Sequence, residues 1–351
     1  MARRRLEMAI RTGRAIDSEQ KKSAGVFTKV QELISIQLDE AAMGTYSLQF
    51  SHDGDSLAVG TGNGGIKLFN SKTGAVQKIL SHGDRATLPV MCLSFHPGMQ
   101  DVLVSAGSDG VISLWNMAEN KRIDTLVEGG NEINALDFSL QGDTYATAGK
   151  DQNVRLYHAN TNKLTRLYQG SNALVPERND LLESGHGQRI FALKFHPDDN
   201  HIFVTGGWDN CLKVWDTRTE HGVERTISGP HVCGSGLDIQ DGKILTASWV
   251  QNHSLQIWDF SSGNLDRTLD LDTDNKEGEF LYCAQFCDNN TVLAGGSGTM
   301  NVQAIKTDTF DIIDVVDFKG KTVQALDSTD GGRLFALGGS SQTIQLASLN
   351  R

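Results

Sequence analysis

Few residues of this 351-residue chain are typed and spaced for chemistry. Cys283 and Cys287, four apart, could bind a soft metal as thiolates. The run 270–281 places Asp270, Asp272 and Asp274 at the spacing of a calcium loop. That loop needs Gly at its sixth position and Glu at its twelfth, where Asn275 and Leu281 stand, so a solvated acidic turn is expected. The ten His are scattered, the many Gly fall in GG and DG turns, and no phosphate-cradling GxxxxGK[ST] occurs. No nucleophile, acid and base converge in the pattern, so no catalytic residue, cofactor or metal is expected.

Composition narrows the class. Lys plus Arg number 32 against 43 Asp plus Glu, a net −11, with 38% hydrophobic and 21% charged residues, which is too apolar for a disordered chain. No run approaches the ~18–20 uncharged apolar residues that span a bilayer, and no apolar signal-type segment opens the chain. Five Cys, odd in number and widely spread, suit a reducing compartment. The expected location is cytoplasmic, with nuclear or cytoskeletal association left open. The acidic balance argues against nucleic-acid binding. Residues 1–25 differ: Arg3, Arg4, Arg5, Arg11, Arg14, Lys21 and Lys22 face Glu7, Asp17 and Glu19, a net +4 that leaves −15 on the remainder. This basic N-terminal extension could be a short amphipathic helix over 1–16, a docking arm or a flexible leader.

What must position any site is a repeat. One five-residue pattern recurs as YSLQF (46–50), MCLSF (91–95), NALDF (134–138), FALKF (191–195), SGLDI (235–239), YCAQF (282–286) and QALDS (324–328). Its second residue is always small: Ser47, Cys92, Ala135, Ala192, Gly236, Cys283 and Ala325. Cys283 therefore belongs to a packing column, where a thiol behaves as a small hydrophobe. After each copy come a turn, an apolar β-type run and a period-2 segment: IKLF, ISLW, VRLY, LKVW, LQIW, VQAI or IQLA. Most units close on a fourth run. Four short strands in about 43 residues form a sheet that must stack on its neighbours.

These units resemble WD repeats, each a four-stranded blade of a β-propeller. The Trp-Asp dipeptide is intact at Trp215-Asp216 and Trp258-Asp259, and nearly so at Trp115-Asn116. The fold expected is all-β, a seven-bladed propeller over 26–351. The seventh unit ends after three strands, and KVQELISIQL (29–38), with Ile34, Ile36 and Leu38 alternating, is expected to supply the fourth and close the ring. The resemblance implies a buried structural tetrad, His186, Thr205, Asp209 and Trp215, in the fourth unit. The second unit keeps Ser105, Asp109 and Trp115 with His82 four residues out of place. Units six and seven have Thr299 and Ser341 instead of Asp and are expected to rely on apolar packing.

In such propellers the residues before the small column and before the tetrad Asp surround the channel mouth. Carried over, these positions give the partner-binding set Tyr46, Met91, Arg189, Phe191, Trp208, Trp249, Phe280 and Tyr282, rich in aromatics and Arg, the residues of interface hot spots. Cys233 falls in the same position as Arg189 and Phe280, and Trp249 aligns only across a two-residue insertion. The expected function is a non-catalytic protein–protein interaction scaffold, monomeric within a multiprotein complex, offering this face to a peptide or protein partner without nucleic acid or membrane. The alternative is a structural component of a large assembly, cytoskeletal or axonemal, docking through its basic arm and propeller sides. An insertion at 170–185 before the fourth unit reads as an exposed loop that could add contacts.

Overall fold

The computed structural model describes residues 26–80, 88–171, 185–273, 278–288 and 290–351. The turn residues and alternating apolar runs form seven four-stranded antiparallel sheets. In blades 1 to 6 the first strand is innermost and the fourth outermost. They run from Thr45–Phe50 to Val76–Leu80, Val90–Phe95 to Lys121–Val127, Ile133–Phe138 to Lys163–Tyr168, Ile190–Phe195 to Val223–Ser228, Leu237–Gln240 to Leu265–Leu269, and Leu281–Cys287 to Ile312–Asp317.

Blade 7 takes Val323–Thr329, Leu334–Gly339 and Thr343–Asn350 from the C-terminal end and Lys29–Gln37 from the N-terminal end. The last two pair antiparallel from Lys29↔Asn350 to Gln37↔Thr343, which closes the ring. Ile36 and Leu38 bury their side chains against blade 1 residues such as Leu57 and Phe69, and Val30 packs with Phe318 and Leu349. The alternation seen in the sequence is thus the alternation of a strand with one face in the core.

Two irregularities recur and shape the molecule. The innermost strand of every blade but the fifth shifts register around its second residue, at Tyr46, Met91, Asn134, Phe191, Tyr282 and Gln324. Such a bulge re-aims one side chain, and four of the six, Tyr46, Met91, Asn134 and Phe191, line the central channel. The outermost pairing of every blade is also interrupted, as between Leu68 and Phe69 or Glu32 and Ile34. Bulged edges are poor templates for another strand.

The blades are joined by two sets of hydrogen bonds. Near the axis, the fourth residue of the repeat reaches the backbone N–H of the next blade's fifth. Gln49 accepts from Phe95 N at 2.8 Å, Asp137 from Phe195 N at 2.8 Å, Asp238 from Phe286 N at 2.8 Å and Asp327 from Phe50 N at 2.6 Å. On the circumference, Lys78 donates to Met117 O, Arg166 to Thr217 O at 2.9 Å, Arg225 to Phe260 O and Arg267 to Thr307 O at 2.5 Å. Asp124 instead accepts from Asn162 at 2.6 Å and Asp314 from Val30 N at 2.8 Å. Hydrogen bonds with one charged partner are stronger than neutral ones, so each such side chain ties its blade firmly to the next.

Candidate functional site: an aromatic channel mouth

One backbone hydrogen bond fixes the mouth in every blade. The residue opening the turn between the second and third strands donates to the segment entering the blade. The pairs are Gly62 to Gly44, Ser108 to Pro89, Lys150 to Glu132, Trp208 to Arg189, Trp249 to His231, Ser297 to Phe280 and Ser340 to Thr322. Trp208 and Trp249 thus occupy the same position of adjacent blades. In blade 5 the partner is His231 rather than Cys233, two residues earlier than the sequence spacing implied. The cause is local: the inner strand of this blade starts only at Leu237 and lacks the bulge, so the entering segment is longer.

The chain has five Trp. Trp115, Trp215 and Trp258 are buried in the repeat's Trp-Asp column, whereas Trp208 and Trp249 are 37% and 41% exposed. Each exposed indole has an aromatic companion: Phe191 lies 5.2 Å from Trp208 and Phe280 lies 5.0 Å from Trp249, both tilted. The Trp208 indole N–H donates to Cys233 Sγ at 3.0 Å, and Gly234 lies against Tyr282, where a Cβ would meet its carbonyl at 2.5 Å. The two pairs are therefore linked through blade 5's entering segment into one belt over blades 4 to 6. Phe280 keeps a left-handed φ of 41°. For a bulky residue this costs about 1–3 kcal/mol, a strain that tends to collect at functional sites.

Arg189 lies 5.0 Å above the Trp208 ring and donates to Glu132 at 3.3 Å, while Lys150 bonds the same carboxylate at 2.5 Å. Tyr46, Met91 and Phe191 line the channel together with Asn134 and Ser235. Tyr46 rests on Gly62, where a Cβ would come within 2.9 Å of its ring. Arg189, Trp208, Trp249, Phe280 and Tyr282 do not line the cavity, and the last two are half-buried. The channel cavity is about 150 Å³. At ~10–15 Å³ for each water, it holds on the order of ten waters or a narrow side chain, but no folded element.

Deeper in the channel lie Asp137, Asp238, Asp327 and Lys194. Burial raises all three carboxyls above their ordinary range, Asp327 to about 6, while the lysine and the backbone donors oppose the rise. The three carboxylates, led by Asp137, push Lys194 up against its own burial. The three carboxylates accept the backbone bonds that join the blades, and Ser47, Cys92 and Ser235 line the same cavity.

His186, Thr205, Asp209 and Trp215 form one hydrogen-bonded chain. The Trp215 indole N–H donates to Thr205 Oγ1 at 2.7 Å, Thr205 meets His186 Nε2 at 2.6 Å, and His186 Nδ1 meets Asp209 at 2.8 Å. Burial holds His186 below its ordinary range, although Asp209 works the other way. Burial tends to raise Asp209, but bonds from His186 and Gly187 N overcome it and bring it to about 2. Cys211 completes a group within 4.8 Å that a metal could use by spacing. Both ring nitrogens of His186 are already engaged, so the cluster works as a hydrogen-bond hub.

Blade 3 builds the same chain from other residues. Glu128 precedes Thr147 by 19 residues, as His186 precedes Thr205, and Tyr157 takes the Trp position. Glu128, with 2% of its side chain exposed, accepts from Thr147 at 2.5 Å, Asn131 at 2.6 Å, Tyr157 at 3.0 Å and Arg155 at 3.1 Å, and Arg155 also bonds Asp151 at 2.5 Å. The signal was present in the sequence as spacing, not as residue type. Blades 2 and 5 keep shorter versions, Trp115 to Ser105 at 2.9 Å and Trp258 to Thr246 at 3.0 Å. Blade 6 does not rely on apolar packing alone: the buried Gln303 amide donates to Asp272 O at 2.6 Å and accepts from Asp272 N at 3.0 Å. His82, most of the 170–185 insertion, residues 1–25 and Asp274 of the acidic run lie outside the described residues.

Cys283 is buried and packs with Leu293 and Phe335; burial raises its thiol to about 12 and also raises Cys287. Neither environment favours the thiolate that metal binding requires. Among the described residues no helix is long and apolar enough to cross a membrane.

Comparison with known proteins agrees with this geometry. The family described as WD domain, G-beta repeat matches residues 120–158 and 179–216, and the anaphase-promoting complex subunit 4 WD40 domain matches 25–97. Similar proteins include the U3 small nucleolar RNA-associated protein 21 homolog of Schizosaccharomyces pombe, 24% identical over 57% of this chain and 20% of that protein. WD repeat-containing protein slp1 of the same yeast is 25% identical over 67% of this chain and 45% of its own length. The human GATOR2 complex protein WDR24 is 24% identical over 59% and 25%. The match thus spans less than half the length of each of these relatives. Seven four-stranded blades, the hydrogen-bonded tetrad and these matches together make the chain a member of the WD-repeat family of β-propellers.

Proposed function

We propose that the chain is a non-catalytic scaffold that receives a peptide or loop of a protein partner on its channel-mouth face. The observation that carries this reading is the split among the tryptophans: three are buried in the blades, and the other two are exposed in equivalent positions of adjacent blades, each paired with a Phe. Exposed, rigid aromatics with an Arg beside them give large contact area at low entropic cost. The bulge that turns Phe191 toward the mouth and the left-handed backbone at Phe280 fit side chains held out for contact. Asp137, Asp238 and Asp327 at the blade junctions and the His186 and Glu128 chains within blades 4 and 3 are engaged in hydrogen bonds that hold the propeller together, which supports a non-catalytic role. The name of the human relative places that protein in the GATOR2 complex, which fits a protein-binding role for propellers of this kind.

A second reading draws on the circumference. The outer strands of blades 1 to 3 expose Val76, Ile79, Ile123, Val127, Leu164 and Leu167, so a side-on contact within a larger assembly has an apolar surface to use. Affinity capture with mass spectrometry separates the two. A variant with Phe191, Trp208 and Tyr282 changed to Ala, shown to be folded, should lose a coherent set of partners that the wild type retains. Unchanged capture by that variant, with loss on changing Ile123 and Val127 to Ser, would favour the side.

A further inference from the structure

The charges beside the aromatic belt specify the chemistry of what it receives, and this step rests on the face being the docking site. The body of the protein is acidic, yet the described groups at the belt's edge are two cations sharing one carboxylate: Arg189 and Lys150 both bond Glu132. All three stand partly in solvent, with side chains 26%, 47% and 35% exposed. The bond to Glu132 uses one of the five N–H donors of the Arg189 guanidinium, whose central carbon lies 5.0 Å from the Trp208 ring centroid. A planar fork fixed by an indole on one side and a carboxylate at one edge still has an edge suited to a second carboxylate. Lys150 follows the same logic as a point charge. Asp151 and Asp209, the acids closest in sequence to these turns, bond inward to Arg155 and His186 and have side chains only 21% and 13% exposed, so Arg189 and Lys150 are the more accessible charges.

We infer that the partner segment is acidic and aromatic: an apolar or aromatic side chain seats against Trp208 and Trp249, and a neighbouring Asp or Glu pairs with Arg189 and Lys150. The channel below suits this order of contacts. Its carboxylates are committed to the blade junctions, and Lys194 lies among them, so nothing at its base asks for a buried cation from the partner. The recognition then takes place at the rim, with an apolar anchor at the centre and a charge pair at the edge. That arrangement matches how interfaces divide affinity from specificity.

The test is selection from a random twelve-residue peptide library on the full-length protein, followed by affinity measurement of the enriched peptides by fluorescence polarisation. The expected consensus has Trp, Phe or Leu with Asp or Glu within about two residues. Arg189→Glu with Lys150→Glu should weaken those peptides about tenfold or more, as for charge pairs at an interface, and should improve Lys-substituted versions. Arg189→Gln with Lys150→Gln, a milder pair, should weaken them without the second effect. An enriched set that is basic, no enrichment at all, or affinity indifferent to charge reversal would overturn the inference. Trp249→Ala tells the two readings apart. Peptides lost on Trp249→Ala yet indifferent to charge reversal leave the face in place and remove the acidic partner. Peptides that bind Trp249→Ala and Trp208→Ala as well as wild type remove the face itself.

Discussion

Replacing Glu128 by Ala tests whether the hydrogen-bond chain of blade 3 does the work that His186 does in blade 4. The carboxylate has 2% of its side chain exposed and accepts four hydrogen bonds, so its removal strands Thr147, Tyr157 and Asn131 and leaves Arg155 with Asp151 alone. Breaking a buried ion pair from one side costs about 3–5 kcal/mol. Asp151 keeps Arg155 partly compensated, which lowers the cost, while each stranded buried hydroxyl adds about 1–3 kcal/mol. The expected loss is at least about 3 kcal/mol, a large share of the ~5–15 kcal/mol that holds a folded domain. Urea denaturation followed by tryptophan fluorescence and circular dichroism measures it. A double-mutant cycle with Arg155→Met should show coupling above about 1 kcal/mol. A loss below about 1 kcal/mol for Glu128→Ala, with no coupling to Arg155, would refute the reasoning.

Other outcomes follow from the same structure. Deleting residues through Leu38 removes Phe27, Val30, Ile36 and Leu38 from the core, at about 1.5–3 kcal/mol each, and should leave an aggregated or unfolded chain by gel filtration, whereas deletion of 1–25 should leave a folded one. Arg267→Met, which removes the bond to Thr307 O between blades 5 and 6, should lower stability by about 1–2 kcal/mol by denaturant titration, less than a fully buried charged bond because the group is partly exposed. Burial places His186 below its ordinary 6.5 in the folded chain, so the unfolded chain takes up a proton first. The stability this contributes is full above pH 6.5 and falls as pH drops below it; His186→Asn should flatten the melting temperature between pH 7 and 5, and an unchanged slope would count against the assignment. Asp327 has the opposite sign: with its folded value near 6 and its unfolded value near 3.8, its favourable contribution is present below pH 3.8 and lost as pH rises through 6. Asp327→Asn, which keeps an acceptor for Phe50 N, should therefore gain relative to wild type as pH rises from 5 to 7.

The architecture was legible because seven copies of one pattern overrule the ambiguity of any single strand. Registered small residues, turn glycines and an unpaired apolar alternation at 29–38 are enough to specify blades and their closure. The hydrogen-bond chains were less legible. A search for His finds blade 4, but Glu128 does the same task through a carboxylate that only the spacing to Thr147 and Tyr157 betrays. Gln303 was hidden likewise, as a polar residue in an otherwise apolar strand. The bonds between blades, from Phe195 N to Asp137 or Arg166 to Thr217 O, join residues 58 and 51 apart in sequence and become visible only when the ring closes. At the mouth, residue columns located Trp208 and Trp249, while the pairing of each with a Phe and the shared carboxylate at Glu132 needed coordinates.

The most direct test of the scaffold reading is site-specific photo-crosslinking in cells of the source organism. A benzophenone amino acid is placed in turn at Phe191 and Trp249 on the mouth, and at Ile123 and Leu164 on the circumference, in chains shown to be folded. The account predicts covalent adducts with the same partner from both mouth positions and none from the circumference. Adducts from Ile123 and Leu164, with none from Phe191 and Trp249, would contradict it.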